Sequence, residues 1–115
     1  MLDKIDSFLL DYPAYGGEPL HIIISTALDK GYFKTPEEII ERLYKLVEKG
    51  YYTISSYKYG PKEGWITISK LTKKELLDYI KENRSTNFEE FPSDEYYFQT
   101  TDEAYKLVDQ DTLEY

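Results

Sequence analysis

With 115 residues and no cysteine, the chain has room for one hydrophobic core and offers no disulfide framework, thiolate nucleophile or cysteine-based zinc site. A hydrophobic fraction of 41% predicts a folded chain, and no apolar run approaches the roughly 18 residues of a membrane span. The net charge of −8 opposes phosphate at long range and favours encounter with basic proteins. That charge is uneven: residues 1–20 carry −3, 21–50 are neutral, 51–81 carry +3 and 82–115 carry −8. The opening residues MLDKIDSFLLDYP set acids inside an apolar pattern and lack a small-residue cleavage site, so a cytoplasmic chain is expected.

Leu2, Ile5, Leu9 and Tyr12 fall at helical spacing, which predicts a helix over Leu2 to Asp11 that Pro13 ends. After the loop 14–18, Pro19 suits a first helical position, and Leu20, Ile23, Ile24, Ala27 and Leu28 form an apolar face up to the Gly31 stop. Thr35-Pro36-Glu37-Glu38 is a strong helix start: Thr35 caps, Pro36 sets the first turn and Glu38 reaches back to the cap. Ile39, Ile40, Leu43, Leu46 and Val47 supply its buried stripe, and Gly50 closes it.

Two alternating stretches, Tyr51 to Tyr57 and Trp65 to Ser69, flank the turn-rich Lys58 to Gly64 and predict a hairpin with a long tip. A capping box at Thr72-x-x-Glu75 opens a helix to about Asn83, with Leu76, Leu77 and Ile80 inward. Ser85 to Asp94 reads as a polar loop, and Glu95 to Gln99 as a strand that joins the hairpin in a three-stranded sheet. A second box at Thr100-x-x-Glu103 opens a short helix through Val108, with Ala104, Tyr105 and Val108 inward. The expectation is one α+β domain over residues 1–115, with a core in 1–70 and an acidic extension, 71–115, packed on it.

Helix, short turn, helix and hairpin in this order resemble a winged helix-turn-helix over roughly residues 1–70. The resemblance implies a recognition helix at Pro36 to Lys49, a wing tip at Lys58 to Gly64, and DNA contacts from Arg42, Lys45, Lys58 and Lys62. Against it, Glu37, Glu38 and Glu41 occupy the leading turns, where a phosphate or base edge would sit. A carboxylate about 4 Å from a phosphate costs about 1 kcal/mol even when hydrated. Arginine, the usual reader of guanine, is nearly absent.

The 13 tyrosines carry a second reading. Neighbours such as Tyr51 and Tyr52, or Tyr96 and Tyr97, point to opposite faces of a strand, so some must be exposed. Exposed tyrosine beside acid is what a protein-docking surface tends to hold. Tyr96 and Tyr97, with Glu89, Glu90, Asp94 and Glu95, are the residues expected to carry it.

Catalytic signals are sparse. His21, the one histidine, lies in an apolar helical stretch and reads as structural, and no phosphate loop, cofactor motif or metal set is present. Asp109-x-Asp111 lacks the glycine and glutamate of a calcium loop. The leading expectation is a non-enzymatic binding module, monomer or homodimer, that docks on a basic protein such as a toxin. In size and composition it is similar to small acidic bacterial immunity proteins and antitoxins that neutralise cationic nucleases, and to phosphate-mimicking inhibitors. The alternative is a DNA-binding transcriptional regulator.

Overall fold

The computed structural model describes residues 2–57 and 65–113, and shows a mixed α+β fold. Helix α1 (Lys4–Asp11) starts where the Asp3 side chain accepts the Asp6 N–H and ends at Tyr12. Its last carbonyls, which no helical N–H can reach, are taken up by the sheet. Tyr52 Oη donates to the Leu9 carbonyl at 2.7 Å, and Thr100 Oγ1 donates to that of Leu10 at 2.6 Å.

A short strand follows where the sequence predicts the next helix to begin. Pro19 belongs with Glu18 in β1 (Glu18–Pro19), its φ of −65° and ψ of 147° are extended, and its register partner is Tyr97. Proline's fixed φ serves a sheet edge as well as a first helical turn, and its missing N–H costs nothing at an edge. Helix α2 (Leu20–Asp29) begins one residue later and stops before Gly31, at φ +77°.

Helix α3 (Pro36–Glu48) is built as its sequence predicts, with Pro36 in the first turn and the Glu38 N–H donating to Thr35 Oγ1. The hairpin strands are β2 (Tyr52–Tyr57) and β3 (Ile66–Ile68), and the predicted wing tip, with Lys58 and Lys62, lies outside the described residues. Helix α4 (Lys73–Asn83) opens with the full Thr72–Glu75 capping box. Strand β4 (Glu95–Thr100) runs one residue past its expected end, so Thr101 and not Thr100 caps the last helix, α5 (Asp102–Tyr105). That helix ends at Tyr105, short of the expected Val108.

The sheet has four strands, not three, in the order β1-β4-β2-β3, with every neighbouring pair antiparallel. Strand β4 is internal, between the segment that follows α1 and the hairpin. One face carries Tyr52, Ile54, Tyr96 and Phe98 into a core shared with Leu20, Ile23, Ile24, Ile39, Ile40, Leu43, Leu76 and Ile80 from the helices. The other face leaves Thr53 and Gln99 in solvent, with Ser55 and Tyr97 half-buried between them. It is on this second face that side chains gather without a covering layer.

Candidate functional site

Four aromatic rings cluster at one end of the open face. Tyr57 closes β2, and Trp65, which leads into β3, sits against it at 4.9 Å between ring centroids. Tyr97, from β4, lies 5.5 Å from Trp65. Phe91, from the loop between α4 and β4, meets Trp65 edge-on at 6.3 Å and Tyr57 at 6.4 Å. Period-two alternation explains three of them: Ser55 pairs with Tyr97, Tyr57 follows two residues along the same face, and Trp65 comes one residue before Ile66, the partner of Ser56. The patch stays open to water: Phe91 is 56% exposed and Trp65 43%.

Phe91 is held in place by the loop that carries it. Thr86 Oγ1 donates to the Asn83 carbonyl, and the Asn87 and Glu89 N–H groups donate to the Arg84 and Thr86 carbonyls. Asn87 and Phe88 both adopt positive φ, +56° and +60°, an uncommon choice for a bulky side chain. The turn drives Phe88 fully into the core and leaves Glu89, Glu90 and Phe91 outside. The expected polar loop therefore has an aromatic anchor that its composition did not announce.

Beneath the patch lies a buried ionisable group of three. His21 Nδ1 is 2.5 Å from Glu95 Oε2, and Tyr79 Oη and the Tyr96 N–H each donate to Glu95 Oε1 at 2.8 Å. Glu95 is wholly buried and His21 nearly so. Burial pushes the Glu95 carboxyl above the usual carboxylate range, although His21, Tyr96 and Tyr79 all pull the other way through hydrogen bonds. Burial also drives the Tyr79 phenol far up, so it serves as a hydrogen-bond donor at physiological pH. Phe91 rests edge-on over His21 at 5.5 Å and links patch and pair.

Six residues were expected to form the docking surface, and the structure divides them. Glu95 and Tyr96 are corrections as exposed residues: both are buried, Glu95 against His21 and Tyr96 against Tyr79 at 5.9 Å. Glu89 and Glu90 are exposed on the Phe91 loop, and Tyr97 is half-buried in the patch. Asp94 is half-buried in a cleft that Tyr79 and Tyr96 also line, with Glu75, Asp78 and Glu82 of α4. Sequence reading missed Tyr57 as a patch member, and Trp65 and Phe91 altogether. The one available signal was two large aromatics, Trp65 and Phe91, in stretches otherwise made of turn formers and polar residues.

Of the residues assigned to DNA contact, Arg42 is tied elsewhere, Lys45 is exposed, and Lys58 and Lys62 lie outside the described residues. Arg42 reaches back to α1 and pairs with Asp3 at 2.7 Å and Asp6 at 3.1 Å. Glu41 pairs with Lys73 of α4 at 2.5 Å, and Glu37 pairs with Arg84. Among the described residues no group of His, Asp or Glu side chains is arranged to hold a metal, and no helix is long and apolar enough to cross a membrane. Comparison with protein-family models, characterised proteins and solved structures found no match.

Tyr97 owes its position to a glycine. Its hydroxyl donates to the Gly16 carbonyl, and a Cβ on Gly17, at a φ of +80°, would overlap the ring. The expected result for Gly17→Ala is a loss of about 1–3 kcal/mol, measured by urea denaturation, from ring displacement and a strained backbone. A loss no greater than that of Gly16→Ala, where the same φ has open space around it, would exclude the ring contact as the cause.

Proposed function

We propose that this chain is a non-enzymatic protein-binding module that docks on a basic partner through the face bearing Tyr57, Trp65, Phe91 and Tyr97. The observation that carries this reading is an aromatic patch left open to water, with Glu89 and Glu90 on the loop that supplies its outermost ring. Large aromatic side chains exposed together are costly for solubility, and they characterise binding surfaces. Acids beside them favour a cationic partner and discourage nucleic acid. An immunity-type inhibitor of a cationic toxin or nucleic-acid-binding protein is the role that this chemistry fits.

The winged-helix likeness is one of element order, with β1 between the first two helices and the hairpin after the third. It supports DNA binding less well, because Arg42 would have to leave Asp3 and Asp6, and the leading turns of α3 hold Glu37, Glu38 and Glu41. The two readings separate in one comparison. Wild-type protein and a Trp65→Ala/Phe91→Ala variant are cross-linked in cells, and their partners are identified by mass spectrometry. Basic proteins captured by wild type and lost from the variant are the expected result. The reading is withdrawn if both proteins capture the same set. It also yields to the DNA alternative if the purified chain binds a random duplex at about 50 mM salt and releases it at about 200 mM.

A further inference from the structure

We propose, resting on the reading above, that the aromatic patch is an arginine-selective anchor site: it takes a guanidinium side chain from the partner, and not merely any positive charge. Trp65 is the centre of the patch, in ring contact with Tyr57, Phe91 and Tyr97, and its indole remains 43% exposed. Indole is the strongest of the aromatic faces for a cation. The exposed carboxylates of Glu89 and Glu90 precede Phe91 directly, and residues 85–105 contain no lysine or arginine; the lysines nearest the patch in sequence are Lys58 and Lys62, between Tyr57 and Trp65. The one histidine beneath the patch is already engaged by Glu95.

A flat, weakly hydrated cation fits this combination. Guanidinium stacks on an aromatic face while its N–H fork still reaches a carboxylate, whereas the ammonium of lysine is compact and holds its water. The ring centroids are 4.9–6.4 Å apart, so the rings touch one another and leave no enclosed cage for a methylated ammonium. A guanidinium stacked on the exposed part of the Trp65 indole, with Phe91 standing edge-on beside it at 74°, is the geometry on offer. The two glutamates of the Phe91 loop attract a basic side chain, and stacking selects which one is kept.

Trp65 is the chain's sole tryptophan, so its emission reports on the patch directly. The intact protein is titrated with octa-arginine and, separately, with octa-lysine, at about 50 and 500 mM salt. Octa-arginine is expected to change Trp65 emission and bind roughly tenfold more tightly than octa-lysine, with the ratio maintained at high salt. Phe91→Ala, an exposed position whose loss leaves the core intact, is expected to bring the ratio close to one. Glu89→Gln/Glu90→Gln is expected to weaken both peptides at low salt. Equal affinities, both weakened by Glu89→Gln/Glu90→Gln, would overturn arginine selectivity and leave the basic-partner reading in place. Binding of neither peptide at low salt would overturn both. A shift of emission with protein concentration alone would show a second copy on the patch and would overturn the anchor assignment.

Discussion

Replacing His21 with alanine is expected to destabilise the protein by about 3–5 kcal/mol, because it leaves the wholly buried Glu95 without the side chain that lies 2.5 Å from its Oε2. Most of that loss reflects the stranded acid and not the pair's own worth. A double variant, His21→Leu/Glu95→Leu, should therefore recover a large part of it, as judged by urea denaturation. If the double variant is as unstable as the sum of the single ones, the pair is not the coupled unit that the 2.5 Å contact describes. The pH dependence has a definite sign. Burial raises the Glu95 carboxyl in the folded state, so the folded chain holds that proton more tightly than the unfolded one. Its contribution is fully present below the ordinary glutamate pKa, about 4.3, and is lost as pH rises through the raised value. Stability measured relative to Glu95→Gln should decline as pH rises from about 4. A difference that stays flat or grows over that interval would reverse the assignment.

Phe88→Ala is expected to cost a similar 3–5 kcal/mol, since it removes a fully buried ring from a core with few voids. The backbone adds a second signature. Phe88 holds φ at +60°, a conformation its own side chain disfavours, and packing of the ring is what maintains it. Without the ring the turn should relax, and amide hydrogen exchange should speed up over 84–94 more than elsewhere. Phe91 and the two glutamates before it lose their fixed position in that event. Uniform acceleration across the chain would mean that Phe88 supports the whole core and has no particular hold on the loop.

Local chemistry explains which elements were legible in the sequence. The start of α3 needs only Thr35, Pro36 and Glu38, and that of α4 only Thr72 and Glu75, so four residues at a time were enough. Pro19 was ambiguous because one fixed φ suits both a helix start and a sheet edge; the deciding partner, Tyr97, is far away in sequence. Glu95 was placed outside by the rule that acids face water, and the residue that permits its burial, His21, is 74 positions distant. Thr100 and Thr101 are both capable caps, and only the length of β4 decides between them. The charge asymmetry was readable from composition, but which aromatic rings it surrounds depended on the register of β2 with β4 and on a buried Phe88.

The internal position of β4 has a consequence for how the molecule is made. Ribosomes deliver residues in order, and α1, α2, α3 and the hairpin all emerge before the strand that must slot between β1 and β2. Until Thr100 is available, β1 has no neighbour, β2 has one open side, and the last carbonyls of α1 lack one of the hydroxyls that satisfy them. The nascent chain thus carries unpaired backbone and the apolar faces of three helices through most of its synthesis. A protein organised in this way closes late and as a whole, and stalled or truncated products lacking residues 95–100 are the species from which aggregation would begin.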